Sequence, residues 1–120
     1  FGGPGNDQIF GGKGPDTLSG GKGLDVLTGG PGADIFLFDF GGGIGGFVNN
    51  RDRIRDYDTA RDVIHLDQDT FPLLTVGDLP GSDTHITYAN GWLRYEGTPF
   101  AYFGTNAPAS LGDIDIVVVA

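Results

Sequence analysis

Residues 2–37 read GGPGNDQIF GGKGPDTLS GGKGLDVLT GGPGADIFL when cut into nines. The register holds through all four units. Asp7, Asp16, Asp25 and Asp34 share one position, and two residues after each stands a large apolar side chain: Ile9, Leu18, Leu27 and Phe36. A fixed period of this kind decides the fold before propensity is consulted. Each unit divides into a six-residue Gly-rich turn and a three-residue strand, in which alternate side chains face opposite ways. The apolar middle residue then points inward, while Gln8 and Phe10, or Thr17 and Ser19, point out.

If two nines make one coil, residues 18 apart lie above one another, so that Asp7 sits beside Asp25 and Asp16 beside Asp34. Adjacent strands are about 4.8 Å apart. Two carboxylates at that separation repel by roughly 3 kcal/mol at an effective dielectric near 20, and a cation between them reverses the sign. Calcium binds oxygen at about 2.3 to 2.6 Å, so two opposed ligands across one ion span nearly one strand spacing. Glycine lets each turn aim backbone carbonyls at the ion through conformations that a side chain forbids. One buried side chain per repeat is a thin core. The repeats are therefore expected to be disordered without calcium and folded with it.

The composition agrees. Glycine supplies 23 of the 120 residues, far above the usual share of about 7%. Sixteen acidic residues against seven basic ones give a formal charge of −9, which opposes binding to nucleic acid or to anionic membranes and attracts cations. Cysteine is absent, excluding disulfides, zinc–thiolate sites and a Cys nucleophile. The longest apolar run, IVVVA at 116–120, falls far short of the roughly 18 residues of a membrane helix. Phe1 begins no signal peptide and reads as the last residue of an earlier repeat. The expectation is a tail that follows an upstream domain of a larger protein.

Beyond the repeats the period dissolves. FDFGGGIGGFVNN (38–50) reads as a Gly-rich loop, and RDRIRDYDTARDVIHLD (51–67) carries two short alternating runs, around Ile54 and around Val63, Ile64 and Leu66. THITYANGWLRYEG (84–97) places β-formers on both sides of Asn90 and Gly91, a strong hairpin signal. PFAYFGT and DIDIVVVA read as two further strands, with NAPASLGD as the turn between them. No helix longer than a turn or two is evident. The chain divides into repeats at 1–37, a loop and closing strands at 38–70, and a β cap at 71–120.

The four units match G-G-x-G-x-D-x-U-x at every specified position, and so resemble the calcium-binding nonapeptide of repeats-in-toxin (RTX) proteins. GADIFLF, the segment 51–67, and the stretches GSDTHITYANGWLRYEG and FAYFGTNAPASLGDIDIVVV are similar to the closing segment, hairpin and final strand of secreted serralysin-type proteases and related RTX proteins. The resemblance implies an all-β fold: a right-handed parallel β-roll, or β-solenoid, capped by a C-terminal antiparallel hairpin region. It also implies Ca2+ in both rows of turns and export by a type I secretion (ABC exporter) apparatus that reads an uncleaved C-terminal signal. The protein would then be secreted, extracellular or at the cell surface.

In that family turns one coil apart share a site. Carried over, one ion would use Gly3, Gly5 and Asp7 with Gly20, Lys22 and Asp25. The other would use Gly12, Gly14 and Asp16 with Gly29, Pro31 and Asp34. Lys22 and Pro31 would give backbone oxygen only. Gly30, Gly32 and Asp34 need a further partner, and Asp52 lies 18 residues beyond Asp34. Gly21, Gly23 and Asp25 would similarly close on Asp39 or Asp56. Pro15 and Leu24 occupy a unit position that is often small or polar, without touching a ligand position.

Other chemistry finds no footing. Neither Lys13 nor Lys22 is followed by Ser or Thr, so no phosphate loop can be drawn. DYDTARD lacks the Gly and Glu of an EF-hand. There is no H-E-x-x-H; His65 and His85 read as partly buried strand histidines, and Ser19, Ser82 and Ser110 lie in no nucleophile elbow. Asp67 and Asp69 read as a solvated face. Trp92, Tyr95, Phe100, Tyr102 and Phe103 are either core or a sugar-binding platform. The leading expectation is a non-enzymatic calcium-binding module, with a glycan-binding or adhesin-tip module as the alternative.

Overall fold

The computed structural model describes residues 5–39, 51–79, 83–104 and 107–120. The repeats form the expected short strands: β1 (Gln8–Phe10), β2 (Thr17–Leu18), β3 (Val26–Thr28) and β4 (Ile35–Phe38). β1 pairs in parallel with β3, with Ile9 opposite Leu27, and β2 with β4, with Leu18 opposite Phe36. The 18-residue register is the one that stacks like turns on like. Odd and even strands therefore build different sheets. Leu18, Leu27 and Phe36 are essentially sealed from solvent, as period-2 alternation requires. Ser19 was expected to face outward and is instead buried; β2 ends at Leu18, and alternation no longer sets the side on which Ser19 lies.

The 51–67 segment extends both stacks. β5 (Asp52–Ile54) lies parallel to β3, with Leu27 opposite Ile54, and β6 (Val63–Asp67) parallel to β4, with Phe36 opposite Ile64. Beyond them come β7 (Gly77–Asp78), β8 (Ile86–Ala89), β9 (Trp92–Tyr95), β10 (Thr98–Tyr102) and β11 (Ile116–Val119). One sheet has the order β1-β3-β5-β10-β9-β8 and the other β2-β4-β6-β11-β7. β10 and β11 continue the parallel pairing, whereas β9, β8 and β7 join antiparallel. The chain is thus all-β with mixed sheets. The one 3-10 helix described, Leu111–Asp113, is a single turn. The Gly-rich loop expected at 38–50 lies mostly outside the described residues.

The hairpin signal at Asn90–Gly91 is realised, both residues having positive φ, as a tight two-residue β-turn demands. Glu96 and Gly97 repeat that conformation between β9 and β10. The core changes character along the stack. Between the coils it is mostly aliphatic, with Phe36 the exception among the inward repeat residues, and towards the cap it is aromatic: Phe38 meets Phe100 edge-on at 5.3 Å, and Phe71 meets both Tyr95 and Phe100 at 5.1 Å. The Tyr95 hydroxyl accepts from the Leu73 N–H at 3.0 Å, so a fully buried ring still satisfies its polar tip.

Phe100, on β10 of one sheet, packs on Phe38 of the other and on Phe71. Phe100→Ala is expected to cost about 3 to 5 kcal/mol, whereas Val76→Ala, at a side chain 49% exposed, should stay within about 0.5 kcal/mol. Urea unfolding in calcium checks both values.

Candidate metal centre

The turns are built by glycine at defined places. Positive φ occurs at the second and fourth positions of the units: Gly12 and Gly14, Gly21 and Gly23, Gly30 and Gly32, and Gly5 in the first. Stacking adds a second demand, because a Cβ on Gly30 or Gly32 would stand 2.5 Å from the carbonyl oxygen of Gly12 or Gly14 in the turn one coil earlier. The Gly5 carbonyl presses still closer on Gly23. At the first position the unit's own carboxylate is an obstacle: a Cβ on Gly11 would meet the Gly29 carbonyl oxygen at 2.6 Å and Asp16 Oδ2 at 2.8 Å, and Gly20 and Gly29 are crowded more tightly by Asp25 and Asp34. Glycine thus lets carboxylate and carbonyl oxygens approach the turns closely.

The aspartates form two columns through one repeated hydrogen bond. Asp25 Oδ1 accepts from the Asp7 N–H at 2.8 Å, and Asp34 Oδ1 from the Asp16 N–H at 3.0 Å. The pattern then passes beyond the repeats: Asp52 Oδ1 accepts from the Asp25 N–H at 3.0 Å, and Asp62 Oδ1 from the Asp34 N–H at 2.9 Å. Asp25, Asp34, Asp52 and Asp62 are buried to within 2% of full exclusion. Buried carboxylates stacked this way strongly disfavour charge. Burial pushes the Asp25 carboxyl up, aided by the Asp7 charge and opposed by the Asp7 N–H. Burial also raises Asp34, with the charges of Asp62, Asp16 and Asp56 adding to it. Asp52 is pushed up to about 8, first by burial and then by the Asp25 charge.

The second oxygens carry the chemical signal. Among the described residues, the buried side-chain oxygens lacking a hydrogen-bond partner are Oδ2 of Asp7, Asp16, Asp25 and Asp34, together with Thr28 Oγ1. One such oxygen per repeat cannot be an accident of packing, since buried acceptors are normally paired. A cation fits them. The donors within reach are carboxylate and backbone carbonyl oxygens, the hard set that suits calcium. Among the described residues no three acidic or histidine side chains cluster, so an ion here would rely on a carboxylate pair plus backbone oxygens.

Stacking sets most of the residues named as ligands in turns one coil apart. Gly5 and Asp7 stack on Gly20, Lys22 and Asp25, and Gly12, Gly14 and Asp16 on Gly29, Pro31 and Asp34; Gly3 lies outside the described residues. The Lys22 and Pro31 carbonyls accept from the Gly5 and Gly14 N–H groups at 3.1 and 3.0 Å, which leaves each a second lone pair. Three pairings differ. Asp52 stands beside Asp25 and not Asp34, because the intervening loop makes the spacing in this column 27 residues. Asp39 lies near Thr70, away from Asp25. Asp56 binds the Gly29 and Gly30 N–H groups, both at 2.8 Å, in the other row of turns.

Asp62 was not anticipated. Its signal was present: Asp62 and Ile64, like Asp52 and Ile54, keep the Asp-to-apolar spacing of the repeats after the glycines are gone. Asp62 differs from the repeat aspartates in that its Oδ2 also accepts, from the Asp58 N–H at 2.8 Å. It closes its column by hydrogen bonding alone. Elsewhere, His65 lies half-buried in β6, and His85 precedes β8 and pairs with Glu96. Tyr95, Phe100 and Phe103 are core, leaving only Trp92 and Tyr102 partly exposed.

Residues 1–36 match the family model of the RTX calcium-binding nonapeptide repeat, in four copies. Repeats of this family bind Ca2+. Comparison with curated proteins and with solved structures finds no match.

Two predictions follow from the ladder. A carboxyl whose pKa is higher folded than unfolded stabilises the fold below its unfolded value and loses that contribution as pH rises through the folded value. For Asp52 this window runs from the ordinary 3.8 to about 8. In chelator, acidifying from pH 8 should therefore raise the folded fraction, and in calcium it should raise the midpoint of the titration; circular dichroism measures both. Gly97→Ala, where φ is positive and the space is open, should cost about the 1 to 2 kcal/mol of the conformational term alone, and Gly32→Ala, which adds a backbone clash to positive φ, should cost more.

Proposed function

We propose that this chain is a calcium-responsive folding module without catalytic activity, serving as the tail of a larger exported protein. The observation that carries the reading is the buried, unpartnered Oδ2 on each of the four repeat aspartates. In calcium-poor cytosol the stacked carboxylates oppose closure, and the chain stays extended enough to pass a type I exporter. Outside the cell, calcium between successive turns replaces repulsion with coordination. Residues 1–37 then wind into a right-handed parallel β-roll, 38–70 close it, and 71–120 cap it and carry the export signal.

The support is physical. Glycine-rich turns have little cohesion of their own, the charge is −9, and the donor set is hard oxygen. The ligands in this reading are Asp7 with Asp25 and Asp16 with Asp34, with carbonyls from the intervening turns. Asp52 adds a carboxylate to the first column, beside Asp25.

A calcium titration of the chain from chelator, followed by circular dichroism with magnesium as control, should give a cooperative gain of β-structure with calcium alone. Asp25→Asn combined with Asp34→Asn should raise the calcium midpoint at least about tenfold, a loss of about 1.4 kcal/mol or more. Asp69→Asn, at an exposed residue, should leave it unchanged. Full β-structure in chelator would sink the reading.

A further inference from the structure

The outward face of the six-stranded sheet has a charge opposite to that of the molecule. Of its strand residues the only acidic one is Asp52, which is buried against Asp25. Arg51, Arg53 and Arg55 alternate with buried Asp52 and Ile54 and are all exposed. Arg53 lies on β5 and Arg51 and Arg55 flank its two ends. Among the described residues none of the three has a carboxylate partner, although Arg61 is bound to Asp58 at 3.0 Å. In a chain with 16 acidic residues, three neighbouring arginines left without carboxylates are a feature that neither the fold nor the calcium sites require.

Aromatic rings continue the row. Arg53 is in register with Tyr102 of β10, and Tyr102 with Trp92 of β9. The two rings stack at 4.7 Å with 29° between their planes, and the Arg53 guanidinium lies 6.0 Å from the Tyr102 centroid. Arg94 stands two residues along β9 from Trp92, on the same side, and among the described residues its guanidinium reaches only the Ala89 carbonyl at 3.5 Å. The aromatic pair is therefore flanked by guanidinium groups on both sides.

We propose that this face binds an acidic polysaccharide, a chain of uronate sugars. Guanidinium forks match carboxylates in two parallel hydrogen bonds, and the half-exposed Trp92–Tyr102 stack offers a flat apolar surface for the C–H face of a pyranose ring. Successive outward arginines on a strand are about 6.6 Å apart, a sparse spacing that suits one charge per sugar. Duplex DNA, with one charge per about 1.7 Å, would meet the acidic turns at the ends of the strands along with the arginines. Each calcium ion bound in those turns removes two negative charges, so the calcium-loaded molecule is the better receptor for any anion.

The test uses the calcium-loaded chain and short oligogalacturonides, read by calorimetry and by the fluorescence of Trp92, the only tryptophan. Oligogalacturonide should bind and perturb the fluorescence, neutral xylo-oligosaccharides of equal length should not, and Arg53→Ala with Arg55→Ala should weaken binding at least about tenfold. The calcium-induced circular dichroism of that variant should match the parent, which separates failure of this proposal from failure of the calcium reading. Should the double variant not fold, Arg51→Ala, outside the strand, should still weaken binding measurably. Absence of oligogalacturonide binding, equal binding of the neutral sugar, tighter binding of single-stranded DNA, or undiminished binding by the folded variants would each overturn the proposal.

Discussion

The structure depends on what each repeat aspartate does with its two oxygens. One accepts the N–H of the aspartate a coil earlier, and this bond, repeated from Asp7 to Asp25 to Asp52 and from Asp16 to Asp34 to Asp62, sets the vertical register of the stack. The other stays buried and unpartnered in all four repeats. The first oxygen holds the coils together, and the second makes holding them together costly until a cation is supplied. Glycine follows from the same arrangement, since the space above Gly20 and Gly29 is taken by the carboxylates of Asp25 and Asp34. A stack with alanine in those places could not close.

The closing segment solves a different problem. A repeat needs a successor to accept its exposed N–H groups, and after the fourth repeat no fifth follows. Carboxylates take over that role: Asp52 and Asp62 end the two columns, and Asp56 receives both Gly29 and Gly30 N–H groups. Asp62 spends both oxygens on backbone donors, so the end of its column is sealed without an ion. Tyr57 ties the seal to the cap, donating to the Asp62 carbonyl and accepting from the Asp115 N–H. Its ring meets Phe103 edge-on at 5.2 Å. The cap thus offers a hydrogen-bonded and aromatic surface on which the coils stack.

Most of this was legible in the sequence where the period holds. The nine-residue register fixed β1 to β4, their inward residues and the partners of Asp7 and Asp16, because a strict repeat converts spacing directly into geometry. Asn90–Gly91 gave its hairpin for an equally local reason, the preference for positive φ. Legibility ended with the period. Asp52 lies 18 residues from Asp34 and was read as its partner, yet it joins Asp25, since an inserted loop changes the register by nine residues and swaps the column. Asp56 was expected beside Asp25 and instead joins Gly29 and Gly30 in the other row, and Asp62 went unread although it keeps the Asp-to-apolar spacing of the repeats. The aromatic residues divided by strand alternation, with a bulge between Pro99 and Ala101 that no local pattern announces.

The central claim is that the four unpartnered Oδ2 atoms are calcium ligands. Crystals grown in calcium and measured at a wavelength where calcium scatters anomalously would test it most directly. Calcium coordination predicts anomalous peaks between the turns, one contacting Oδ2 of Asp7 and Asp25 and another contacting Oδ2 of Asp16 and Asp34. Peaks confined to exposed carboxylates such as Asp69 and Asp113, with the turns folded as described here, would contradict it.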